Sequence, residues 1–127
     1  MKYLLLTLAL LSAVPAVAQP APAAVSHMTV FNRPGPEFAK AHDPANRALI
    51  IAHQRLYQQF AREGVLIAGG RFEGEPVLGL SVFTLDVDRG AVRRALEEDP
   101  AVKAGIVAIE FRDWQLQMGG LARPAGD

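Results

Sequence analysis

The 127-residue chain contains no cysteine, so neither a disulfide framework nor a thiolate metal centre can hold it together, and a hydrophobic core has to. It also carries no net charge: Lys plus Arg and Asp plus Glu number 13 each. Without a basic field, the composition argues against a charge-driven partner such as nucleic acid or an anionic membrane surface. The three histidines sit at unrelated spacings, with His27 and His42 expected in loops, so no metal site is expected. A membrane span is missing too, because the N-terminal apolar run from Leu4 to Leu11 is too short to cross a bilayer.

What that N-terminus does contain is Lys2, the apolar run, and a small-x-small ending at Ala16-Val17-Ala18. This is the layout of a secretory signal peptide over residues 1–18, which implies a periplasmic or secreted protein with no membrane attachment after cleavage. Residues 19–27, QPAPAAVSH, are rich in Pro and Ala without periodicity and read as a disordered leader. One domain is expected over residues 28–118, followed by a flexible tail over residues 119–127.

The β-branched and aromatic run MTVFNR predicts a first strand from Met28 to Arg33, halted by Pro34-Gly35-Pro36. Asp43-Pro44 offers a cap followed by a proline suited to a first helical turn, and the helix should run to Glu63 and stop at Gly64. At 100° per residue, Leu49, Ala52, His53, Leu56, Tyr57 and Phe60 share one stripe, so His53 lies among apolar neighbours. Val65–Phe72 and Val77–Leu85 form a hairpin around EGEP, and Asp88–Glu98 a second helix with Val92, Ala95 and Leu96 inward. The last strand alternates, with Val107, Ile109 and Phe111 on one side and Ile106, Ala108, Glu110, Arg112 and Trp114 on the other.

The order β-α-β-β-α-β predicts an α+β fold of ferredoxin-like type, a four-stranded antiparallel sheet with two helices on one face. The other face would be bare, and the simplest cover for it is a second copy of the chain. A homodimer with facing sheets, a dimeric α+β barrel, is therefore expected.

Three features exceed a plain sandwich. His53 is either a core histidine satisfied by backbone or water, or a general acid/base in a half-buried position. Asp99, before Pro100, is either the stop of the second helix or a carboxylate that orients His53 and selects its tautomer. Gly69 and Gly70 are either a bulge or an approach for a ligand to the backbone, with Arg71 supplying a cation for a carboxylate.

The stretches FNRPGP, AHQRLYQQFAREGVLIAGGRF and DPAVKAGIVAIEFRDW together resemble the YCII-related (YciI-like) family, in particular its exported branch, from Val30 to Trp114. The resemblance implies a dimeric α+β barrel, and a site in which a helix histidine pairs with the Asp of an Asp-Pro motif, here His53 and Asp99. Some members of that family are implicated in proton-transfer steps on aromatic-degradation intermediates, such as lactone isomerisation or loss of chloride. The chain departs from it at Arg71, where relatives commonly carry proline, and in HDPANRALI.

The resulting expectation is a homodimeric, cofactor-free protein with a small-molecule ligand. His53 and Asp99 would be catalytic in an isomerase, lyase (dehalogenase) or hydrolase acting on a small organic acid, with Gly69, Gly70 and Arg71 binding the substrate. The rival expectation is a non-catalytic ligand-binding or structural dimer in which His53 and Asp99 satisfy one another. A haem- or metal-dependent enzyme is disfavoured, because His53 is the one imidazole expected on a regular element.

Overall fold

The computed structural model describes residues 25–122. The expected signal peptide, residues 19–24 of the expected leader and residues 123–127 of the expected tail lie outside the described residues. The elements run β1 (Ser26–Pro34), two short 3-10 turns (Phe38–His42 and Pro44–Asn46), α1 (Arg47–Arg62), β2 (Leu66–Phe72) and β3 (Leu78–Phe83). They continue with α2 (Arg89–Glu97), α3 (Pro100–Lys103) and β4 (Val107–Gln115). Four antiparallel strands form one open sheet in the order β2-β3-β1-β4, an α+β architecture consistent with the ferredoxin-like arrangement. No described helix is long and apolar enough to cross a membrane.

Strand alternation divides the sheet. Val30 faces Ser81 and Phe111 across the ladder, and Asn32 faces Gly79 and Ile109. Met28, Val30, Phe83, Ile109 and Phe111 belong to one cluster with Phe60 of α1 and with Val92 and Leu96 of α2, so α1 and α2 cover the same face. Of the two sides of β4, the one with Ile109 and Phe111 therefore meets the helices. Phe60 and Phe83 meet edge to face at 5.5 Å, and the guanidinium of Arg93 lies 4.0 Å from the Phe111 ring centre. On the other face, Phe31 lies beneath Arg33 and Arg112, which both pair with Glu110, and Trp114 at the strand end is exposed.

Local sequence explains most boundaries. Gly64 adopts φ 70°, a left-handed conformation that ends α1 at little steric cost. Gly35 is required by proximity: a Cβ there would lie 2.1 Å from the carbonyl oxygen of Gly105. Without one, the Gly35 amide reaches Ile106 O at 3.0 Å and the Glu37 amide reaches Gly105 O at 2.9 Å. The Asp88 side chain caps α2 by accepting from the Ala91 amide at 2.9 Å.

Several expectations are corrected. The first strand begins at Ser26 rather than Met28, so Ser26 and His27 belong to the sheet and not to a leader or loop. The reason is pairing: Ser26 and His27 stand opposite Gln115 and Trp114, and His27 Nδ1–H donates to Phe83 O at 2.7 Å. His42 ends a 3-10 turn. Asp43 does not cap α1 with its side chain; Pro44–Asn46 first forms a tight turn, and the α-helix starts at Arg47. A third helix, α3, stands where only a stop and a loop were expected.

Candidate functional site

Asp99 is the residue whose environment the structure changes most. Its backbone is extended, as a residue preceding proline tends to be, and Pro100 occupies the first turn of α3. Its Oδ1 accepts the Ala101 amide at 2.8 Å, so the carboxylate starts a helix in addition to following one. Its Oδ2 accepts from His53 Nδ1–H at 2.6 Å. The side chain is fully buried and both its oxygens are engaged.

His53 is delivered by the apolar stripe of α1, and its side chain retains 14% exposure. An ionised carboxylate only accepts, so the bond to Oδ2 assigns the proton to Nδ1 and leaves Nε2 with the lone pair when the ring is neutral. One turn on, the Tyr57 ring meets the imidazole at 5.1 Å and 67°. The Tyr57 hydroxyl donates to Asn32 Oδ1 at 3.0 Å, tying α1 to β1. Burial pushes the phenol up to about 12, partly offset by the Asn32 bond, so the hydroxyl stays protonated and remains a donor.

His53 and Tyr57 form part of the wall of a cleft of about 1110 Å³ between α1 and the outer half of the sheet. Its floor is the helix-facing side of β1, β3 and β2, and Phe38 and His42 from the first 3-10 turn close one end. The cleft exists because the floor is nearly bare. Gly69 and Gly79 have no side chains, and Ser81 has a small one, so nothing fills the space that the Phe60–Phe83 packing fills farther along.

The structure thus joins His53 to Asp99 and sets Gly69, Gly70 and Arg71 on the same cleft. Asp99 itself does not line the cleft but stands behind His53. A bulge at Ile67 in β2 precedes the glycine pair rather than involving it. Sequence reasoning missed Asn32, Gly79 and Ser81 as floor residues, and Tyr57 as more than core. The available signals were a glycine inside a strand and an aromatic hydroxyl four residues after the histidine. Among the described residues, no group of three or more His, Cys, Asp or Glu could hold a metal ion.

Comparison with known proteins finds no matching family model and no matching curated protein.

Proposed function

We propose that the chain is a YCII-like, exported, cofactor-independent acid/base enzyme in which His53 moves a proton of a small organic acid and Asp99 holds the imidazole in the working tautomer. The observation that carries this is the 2.6 Å bond from Nδ1 of His53, at the wall of an open cleft, to a buried carboxylate behind it. With Nδ1 committed to Asp99, Nε2 is the nitrogen left to take a proton from an acidic C–H or from water. The cation so formed is balanced by the Asp99 charge behind it. Returning the proton to a neighbouring carbon is an isomerisation; losing a leaving group is an elimination; activating water is a hydrolysis. Gly69 and Gly70 allow close approach to β2, and Arg71 offers a guanidinium to the acid group.

The same reading takes the fold as ferredoxin-like and the bare sheet face as the seat of a second copy, forming a barrel. Phe31 and Leu80 on that face, with the exposed Phe72 and Trp114 at its margins, supply apolar area for such a pairing. A monomer in sedimentation at micromolar concentration would count against the pairing.

A non-catalytic reading has one observation in its favour: Asp99 also caps α3, so the His53–Asp99 bond ties α1 to α3 whatever else it does. The two readings separate in deuterium oxide. Small carboxylic acids and lactones are incubated with the protein, and loss of their acidic C–H signals is followed by proton NMR. Acid/base function predicts exchange above the buffer rate that His53→Asn and Asp99→Asn abolish. If both variants exchange or turn over such a compound as fast as the parent, the assignment fails.

A further inference from the structure

We propose a carboxylate subsite on the cleft floor, built over Gly79 and bounded by Arg71, Asn32 and Ser81. It deepens the acid/base reading by naming what holds the acid group, and it rests on that reading only for the statement that His53 acts on the bound molecule.

The sheet register sets the subsite out. Arg71 of β2 and Asn32 of β1 both pair with Gly79 of β3, in a row that continues to the core residue Ile109 and so faces the helices. At a strand spacing of about 4.8 Å, Arg71 and Asn32 stand roughly 10 Å apart across a residue with no side chain. Ser81 lies two residues along β3 on the same face, opposite Gly69. A bare patch of sheet is thereby edged by a guanidinium, an amide and a hydroxyl, and all four residues line the cleft.

Each edge group has unused donor capacity. Ser81 is 4% exposed, yet its hydroxyl makes no hydrogen bond among the described residues. The hydroxyl oxygen is reachable from the cleft and has its proton to give to a ligand there. Asn32 uses Oδ1 to accept the Tyr57 proton, which turns its amide so that both Nδ2 hydrogens are left for another acceptor. A Cβ built on Gly79 would sit 3.6 Å from that Nδ2, so an atom lying over Gly79 is within its reach. Arg71 forms no ion pair among the described residues. The other cation on the cleft, Arg33, is bound to Glu110, and the one acid lining it is Glu75. The Gly70 carbonyl oxygen also approaches the patch, 3.5 Å from a Cβ built on Gly79, but three donors outnumber it and select an anion with two acceptor oxygens, and a planar carboxylate matches the guanidinium fork.

The test titrates the full chain with benzoate and succinate, and with the neutral amides of both, following backbone and side-chain amides by NMR. The carboxylates should shift Gly79, Ser81 and the Asn32 side-chain amide, and the neutral amides should not. Arg71→Gln and Ser81→Ala should each weaken binding at least about tenfold, the loss expected for one charge-assisted or buried hydrogen bond. Gly79→Val should abolish it by filling the patch, and His53→Asn should leave it within about twofold, since the imidazole is not one of the bonds counted. The subsite is overturned if no carboxylate binds, if the neutral amides bind equally well, if inorganic phosphate competes as well as benzoate, or if Arg71→Gln and Ser81→Ala leave the affinity unchanged. Should carboxylates dock as described while His53→Asn leaves proton exchange intact, the subsite stands and the acid/base reading falls.

Discussion

Replacing Asp99 by Asn probes the pair without emptying the space it fills, and the surrounding bonds dictate how the amide must sit. The Ala101 amide, 2.8 Å from Oδ1, can only donate. The oxygen of the new side chain must therefore remain on Ala101, and its NH2 group must face His53. A donor now points at Nδ1, where an acceptor stood at 2.6 Å. The imidazole answers by moving its proton to Nε2, so Nδ1 can accept. The cap survives and a hydrogen bond survives, but a charge-assisted bond has become a neutral one, at a cost of about 1 to 2 kcal/mol. For a domain of this size that lowers Tm by roughly 5 to 10 °C. The larger consequence is chemical, since Nε2 now carries a hydrogen and cannot take one. A proton-transfer rate should fall by about 10²- to 10⁴-fold. No substrate is needed to check the central step. Long-range proton–nitrogen spectra of the neutral imidazole separate protonated from bare ring nitrogens. His53, identified by its loss in His53→Asn, should show a protonated Nδ1 in the parent and a protonated Nε2 in Asp99→Asn. The same tautomer in both proteins would refute the reasoning.

Tyr57 sets an alkaline limit: its folded value of about 12 exceeds the usual value near 10, so unfolded chains lose this proton first and stability falls as pH rises from about 10 to 12. The loss approaches roughly 3 kcal/mol, and urea titrations should find that part of the pH dependence missing in Tyr57→Phe. Leu96→Ala, at a fully buried position of α2, should cost about 2 to 5 kcal/mol in urea unfolding, while carboxylate binding persists. Gly35→Ala forces a Cβ against the Gly105 carbonyl, which belongs to the backbone and cannot rotate away; its Tm should drop by more than that of Gly70→Ala, whose added Cβ meets nothing within 4 Å.

The alternation of hydrophobic and polar residues made the sheet legible, and the stripe on α1 made His53 legible as a residue apart. Two Asp-Pro pairs show where local rules stop. Asp43-Pro44, the expected cap, makes no capping bond, whereas Asp99-Pro100, expected either to stop α2 or to orient His53, also begins α3. Both pairs satisfy the same local preferences. What separates them is tertiary: His53 approaches Asp99 from another helix and fixes its carboxylate, and no comparable bond is made by the Asp43 side chain. His27 departs from the loop expected of it for a related reason. Its neighbours in the chain are Pro- and Ala-rich, but its partners, Trp114 and the Phe83 carbonyl, are more than fifty residues away. The floor of the cleft stayed hidden because Asn32, Gly79 and Ser81 become neighbours only through the strand register.

The position of β2 bears on how such a protein could change its diet. It is the outermost strand of the sheet, hydrogen-bonded to a neighbour along one margin, and from Ala68 to Phe72 its residues are exposed. Gly69, Gly70 and Arg71 are therefore carried on the part of the sheet that the core restrains least, while His53 and Asp99 are locked between helices. Under the proposed reading, replacements on β2 would alter which molecule is bound at little expense to folding. Replacements at the imidazole or its carboxylate could not. If that reading holds, descendants of this chain would diversify in ligand preference long before they diversify in chemistry.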